Sequence, residues 1–204
     1  MHNAPFVVLE GIDGSGTTTQ ARLLADALTA VTGEHVVLTR EPYDIRLAGV
    51  IRDWLRSDEP PHAALLFAFL ADREVHLKEV VRPALERGVP VVCDRYVLST
   101  LAYQTEHNSS ELVWELALRS QAPSIYVLLD ADVRVAAVRV ARRGVPADFY
   151  EKNVSYQERV AERYLQAAGD RRLGAPVATV NTSSASVGDT AVNVLETVRS
   201  TLGI

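Results

Sequence analysis

The sequence predicts an α/β fold, a five-stranded parallel sheet with helices on both faces. Five short runs, at 6–10, 35–40, 89–94, 124–130 and 177–181, are almost continuously apolar rather than alternating. Strands read this way when both faces of their sheet are covered. Between the runs lie longer segments whose apolar residues recur at intervals of three and four, the helical period: 17–31, 62–87, 133–143, 150–168 and 186–202. Alternation of strand and helix implies parallel pairing. Ligands of such sheets bind beyond the carboxyl ends of the strands, and polar residues cluster there in this chain.

Taken in order, the first run ends in Glu10 and enters a glycine-rich turn before the helix at 17–31. The second ends in Arg40-Glu41-Pro42, the third in Asp94 and the fourth in Asp130. No linker-like stretch divides the chain, so residues 1–204 are expected to form one domain. Apolar residues make up 48% and charged residues 23%, close to globular averages, and the formal net charge is −5. Such an acidic chain is a poor general binder of nucleic acid, so an anionic ligand must be held by local arginines and backbone N–H groups. Cys93 is the lone cysteine, which excludes an internal disulfide and a cysteine-based zinc site, and it reads as a small buried hydrophobe. The five histidines show no metal-ligand spacing, and Trp54 and Trp114 read as packing residues. No stretch has the roughly 20 apolar residues of a membrane span, and the N-terminus does not read as a secretory signal. The expected location is the cytoplasm.

The first turn, Gly11-Ile12-Asp13-Gly14-Ser15-Gly16-Thr17-Thr18-Thr19, has the glycine spacing of a phosphate-binding P-loop. Glycines let the backbone curl so that Gly11, Gly14, Ser15, Gly16 and Thr17 to Thr19 can turn N–H groups toward phosphate oxygens. The following helix N-terminus adds its positive dipole end. The Thr18 hydroxyl stands where such loops ligate Mg²⁺, and Asp94, ending the third run, reads as the second carboxylate-side holder of Mg²⁺, partly through water. Together these features specify a three-layer P-loop NTPase fold. One position departs from the pattern: the usual lysine is Thr17, which removes a positive charge from the place where transition-state charge spreads.

Beyond the loop, several pieces follow in order: Leu9 to Gly16, Thr39-Arg40-Glu41-Pro42, Leu66 to Arg73, Asp94-Arg95-Tyr96-Val97-Leu98-Ser99 with Ala102-Tyr103-Gln104, and arginines from Arg139 to Gly144. This ordered set resembles the thymidylate kinases. The resemblance implies ATP-dependent phosphorylation of dTMP to dTDP for dTTP synthesis, with Mg²⁺ travelling with ATP, by a homodimer. It implies that Asp13 contacts the sugar 3′-hydroxyl and that Arg40 and Arg95 clamp the monophosphate. Phe69 would stack on thymine, Arg73 would bond the base edge, and Ser99, Tyr103 and Gln104 would line the base and sugar pocket. Segment 139–151 looks like the lid over ATP, and Asn181 falls where the family holds adenine.

Elementary chemistry agrees on several points. A guanidinium fork matches phosphate geometry. Arg73 lies one helical turn after Phe69, so the two can project together, although Phe69 also fits a plain core position. The acceptor is a phosphate monoester with a second pKa of roughly 6, so no general base is required. To replace the missing lysine, the lid arginines Arg139, Arg142 and Arg143 are the candidates, with Arg139 and Arg143 on one helix face as catalytic cations beside Arg95 and Asp94. Two alternatives stay open: another nucleoside or nucleoside-monophosphate kinase, for which Glu10 or Glu41 could act as base, and a nucleotide-binding protein whose catalysis is weakened by Thr17.

Overall fold

The computed structural model describes residues 4–144, 148–151 and 153–203. Its strands are β1 (Phe6–Glu10), β2 (Val37–Arg40), β3 (Val91–Asp94), β4 (Ile125–Asp130) and β5 (Val177–Asn181). They pair in parallel in the order β2-β3-β1-β4-β5. The helices are α1 (Thr17–Thr32), α2 (Ile45–Arg56), α3 (His62–His76), α4 (Arg82–Glu86), α5 (Val97–Gln104), α6 (Ser110–Ala117), α7 (Val133–Ala141), α8 (Val154–Ala168) and α9 (Val187–Leu202).

Strand periodicity explains the continuous apolar runs. Phe6 and Val8 of β1, Val91 and Cys93 of β3, and Tyr126 and Leu128 of β4 face one core, shared with Leu65 and Leu66 of α3, Leu98 of α5 and Tyr164 of α8. Their neighbours Val7, Leu9, Val92, Val127 and Leu129 face the other, against Leu24 and Leu28 of α1 and Val194 and Val198 of α9. Each of these three central strands therefore needs apolar side chains on both faces, whereas the edge strands β2 and β5 are partly exposed.

The strands begin later than the apolar runs. Residues 35–36, 89–90 and 124 precede pairing. Pro90 has no N–H to donate, and its carbonyl accepts from the Val37 N–H at 2.9 Å. The stretch at 62–87 is not one helix. A π turn, Leu77–Val81, joins α3 to α4, with the Arg82 N–H reaching back to the Leu77 carbonyl. Pro83 follows at once and lacks the N–H that would continue regular α bonding.

Three helices, α2, α5 and α6, were not expected from spacing. The Asp44 side chain caps α2 by accepting from the N–H of Arg46 and Leu47, and Ala48, Ile51 and Leu55 form its buried stripe. That signature was present in the sequence. Helix α5 buries all its residues but Ser99, so it shows no amphipathic period to read. The C-terminal part of the 133–143 helix is trimmed to Ala141, with Gly144 left-handed at φ 71. Helix α8 begins at Val154 rather than 150, because the Asn153 side chain caps it at the Tyr156 N–H. Residues 150–151 belong instead to a turn held by Asp148, whose carboxylate accepts from the N–H of Tyr150 and Glu151. Of the segment 139–151, positions 145–147 lie outside the described residues.

Candidate active site

The chain crosses over in opposite directions on either side of β1, which leaves a crevice at the carboxyl ends of β1 and β3. Register brings Arg40 beside Asp94 and Leu9 beside Asp94 on this edge. A cleft of about 610 Å³ opens here. Asp13, Gly16 and Thr17 to Thr19 line one part of it, and Arg40, Phe69, Arg73, Ser99, Tyr103 and Gln104 line another, with Asp94 and Arg95 also on its wall.

The loop from Gly11 to Gly16 is close against its surroundings. A side chain at Gly11 (φ 152) would place Cβ 2.6 Å from the Leu129 carbonyl oxygen, and one at Gly14 (φ 86) would collide with the backbone of Ala136 on α7. Only glycine fits both the dihedral and the space. No side chain caps α1. Its first N–H groups are therefore available to an anion. Thr17 is buried, with neutral polarity where a lysine would stand.

At the end of β3 the backbone turns left-handed at Arg95 (φ 72). A non-glycine residue in this region is strained by about 1–3 kcal/mol. The turn carries the guanidinium across the loop, where Nη1 donates to the Gly11 carbonyl at 2.8 Å and Nη2 to Asp13 Oδ1 at 2.6 Å. Burial opposes the charge, but the Asp13 carboxylate holds the Arg95 pKa well above the ordinary range. The Tyr103 hydroxyl donates to the other Asp13 oxygen at 2.9 Å. Asp13, Arg95 and Tyr103 thus form one hydrogen-bonded unit on the cleft wall.

Arg73 is 2% exposed. Its Nε donates to Glu41 Oε2 at 2.9 Å, Nη2 donates to the Thr100 hydroxyl at 2.8 Å, and the guanidinium lies 4.6 Å from the Tyr96 ring centroid. Glu41 Oε1 also meets His76 Nδ1 at 3.1 Å. Phe69 is half-buried: it packs on the core and borders the cleft.

Thr18 Oγ1 donates to Asp94 Oδ2 at 2.5 Å, while Asp94 Oδ1 is buried with no hydrogen-bond partner among the described residues. A hydroxyl and a carboxylate with one spare oxygen suit a hard divalent cation that keeps several waters. The described residues hold no cluster of three or more His, Cys, Asp or Glu that would bind a metal unaided.

The arginines at 139–143 separate. Arg139 donates to the carbonyls of Gly14 (3.4 Å) and Thr182 (2.7 Å) and does not border the cleft. Arg143 does border it, paired with Glu151 at 3.1 Å. A shared helix face at 139 and 143 does not bring both to the cleft, because α7 ends at Ala141 and Arg143 lies beyond it.

A family model described as thymidylate kinase matches residues 9–184. The chain belongs to the thymidylate kinase family. It is 41% identical over 171 residues to a probable thymidylate kinase of Pyrococcus abyssi, which covers 80% of this chain and 82% of the relative. To the thymidylate kinase of Carboxydothermus hydrogenoformans it is 36% identical over 175 residues, covering 82% and 86%. Among solved structures, the thymidylate kinase of Ehrlichia chaffeensis superposes with a TM-score of 0.74 at 26% identity, covering 97% of this chain and 99% of that one.

Within this thymidylate kinase cleft, several lining residues had escaped the sequence. Arg52 borders it from α2 and has no ion-pair partner among the described residues. The Asp44 cap and the Ala48-Ile51-Leu55 spacing could have located its helix. Asp148 and Tyr150 border the cleft from the far end of the 139–151 segment. Burial and the nearby Asp13 charge push the Asp148 carboxyl up to about 6. No local signal marks either residue.

Proposed function

We propose that the chain transfers the γ-phosphoryl group of ATP to dTMP, forming dTDP and ADP in dTTP synthesis. One observation carries the choice of base. Arg73 Nη1, a donor, and Gln104 Oε1, an acceptor, are both buried without a partner among the described residues, and both residues border the cleft. A free donor and a free acceptor complement O4 and N3–H of thymine or uracil. Cytosine presents an amino group and a bare N3 instead, leaving both protein groups unsatisfied. Phe69 supplies a ring for stacking the base.

Arg40 and Arg95 are assigned to the monophosphate and Asp13 to the sugar hydroxyl, its carboxylate keeping lone pairs for a further donor. Glycines 11, 14 and 16, Ser15 and Thr17 to Thr19 would receive the ATP phosphates. Thr18 and Asp94 would hold Mg²⁺, which when bound neutralises charge on the phosphate oxygens. The acceptor phosphate needs no general base. Neither carboxylate available to a nucleoside kinase is free: Glu41 is engaged by Arg73 and His76, and Glu10 does not border the cleft. One sheet covered on both faces supports a single kinase domain with segment 139–151 as its lid. Phe67, 57% exposed on α3, supports a homodimer joined through that helix. No helix among the described residues is long and apolar enough to cross a membrane, in keeping with a cytoplasmic enzyme.

With Thr17 in the lysine position, the transition-state charge falls to another cation. Arg143, the lid arginine that borders the cleft, is assigned to supply it. Arg143→Ala is expected to lower kcat by about 10²-fold, the usual cost of removing one transition-state donor. Unchanged turnover in this variant would remove Arg143 from the mechanism.

The reading as a whole is tested by following ADP formation with ATP, Mg²⁺ and dTMP, thymidine or dCMP, in the parent and in Thr17→Lys. The parent should turn over dTMP, ignore thymidine and discriminate against dCMP on the order of 10⁴-fold. Turnover confined to Thr17→Lys would make the natural chain a nucleotide binder.

A further inference from the structure

Behind the cleft, Glu10 carries a fully buried carboxyl that phosphoryl transfer does not use. The Tyr96 N–H donates to Oε1 at 2.9 Å, and the Ser99 hydroxyl donates to Oε2 at 2.6 Å. The Ser99 oxygen lies 2.7 Å from the Tyr164 hydroxyl, and Arg95 Nη1 approaches the Tyr164 oxygen at 3.3 Å and Ser99 Oγ at 3.5 Å. These five residues come from β1, the turn after β3, α5 and α8.

Each hydroxyl has one proton to give. With Glu10 ionised, Ser99 gives its proton to the carboxylate, Tyr164 gives its own to Ser99, and the Tyr164 oxygen is left facing Arg95 as an acceptor. Protonation of Glu10 permits the opposite order, with Oε2 donating to Ser99 and Ser99 to Tyr164; the Tyr164 oxygen, now accepting from Ser99, is a poorer acceptor for Arg95, and its proton has only Glu10 Oε2, 3.5 Å away, or a guanidinium that can only donate to face. We propose that Glu10 is a positioning residue, whose carboxylate sets the direction of the Ser99–Tyr164 hydroxyl chain and thereby holds Arg95 aligned over the phosphate loop. The proposal rests on the dTMP kinase reading above.

The surroundings of Glu10 make it the switching member of this group. The positive charges facing it are Arg95 and, from α3, Arg73, with Glu41 on the far side of Arg73 and Asp13 beyond Arg95. The phenols of Tyr96, Tyr126 and Tyr164 and the Cys93 thiol complete the shell, and burial shifts all four upward, so they stay protonated near neutrality. Burial also pushes the Glu10 carboxyl up to about 7, against the opposing pull of the Ser99 hydrogen bond and the Arg95 charge. The aligned state therefore gains population as pH rises through about 7. Folding stability changes in the other direction, because a carboxyl raised by burial makes the native state less stable once it must ionise.

The test is the pH profile of kcat for dTMP in the parent, Glu10→Gln and Tyr164→Phe, with dTMP and ATP affinities measured by calorimetry. Glutamine is nearly isosteric but cannot take the Ser99 proton at its amide nitrogen, so it copies the protonated acid at every pH. Tyr164→Phe keeps the packed ring and cuts the chain. In the parent, kcat should climb through about pH 7, above the limb at roughly 6 set by the substrate phosphate. Both variants should lose the upper limb and fall about 10- to 100-fold in kcat above it, the cost of slight misplacement of a reacting group, with ATP affinity unchanged. If Glu10→Gln does not fold, Tyr164→Phe decides alone. A retained upper limb in either folded variant overturns the proposal, and absence of dTMP turnover in the parent overturns the kinase reading and this inference together.

Discussion

Replacing Arg95 by alanine is expected to lower kcat for dTMP phosphorylation by about 10³-fold or more, the range seen when a transition-state arginine is removed. ATP affinity should change far less, because the loop proposed to receive its phosphates is shaped by glycines and by the start of α1. The left-handed turn at Arg95 and its bonds to the Gly11 carbonyl and Asp13 fix a planar cation against the glycine-rich loop on the cleft wall. Lysine at this position keeps a charge but loses the fork that spans Gly11 and Asp13, so Arg95→Lys should recover only a small part of the rate. Steady-state kinetics with calorimetric ATP binding separate the terms. An alanine variant within about tenfold of the parent would exclude Arg95 from the transition state.

Arg73 has the second large effect, and it acts on stability and binding at once. Arg73→Ala leaves Glu41 buried without its guanidinium, and breaking such a pair costs about 3–5 kcal/mol. It also removes the unpartnered Nη1 donor proposed to read the base. The two consequences separate in Arg73→Met/Glu41→Gln, which deletes both charges and keeps most of the volume. Its Tm should return close to that of the parent, while dTMP binding stays weak. Recovery of normal dTMP affinity in the double variant would show that Arg73 supports the fold and does not read the base.

Much of this site is legible in the chain because its parts sit immediately after strands. Gly11 to Thr19, Arg40, and Asp94 with Arg95 each follow an apolar run. Phe69 and Arg73 are likewise one turn apart on a single helix. Less legible are the elements whose surroundings are uniform. Helix α5 is buried almost throughout, so hydrophobic periodicity gives no sign of it, and its contribution of Ser99, Tyr103 and Gln104 emerged through family resemblance rather than pattern.

By itself the sequence determined the parallel sheet, the phosphate loop and the identity of the residues along one sheet edge. Those features depend on contiguous residues, and a parallel sheet collects the ends of its strands in one place whatever the helices do. Only the tertiary structure decided where each arginine points. Arg139 turns to the carbonyls of Gly14 and Thr182, Arg143 turns to the cleft, and Arg52 joins it from α2. It also decided that Glu10, Ser99 and Tyr164 are hydrogen-bonded across three elements, and that Asp13 is divided between Arg95 and Tyr103. Such partnerships link positions far apart in the chain and depend on the direction in which packed side chains leave their backbones. No local pattern encodes that direction, because it is set when the helices close on the sheet.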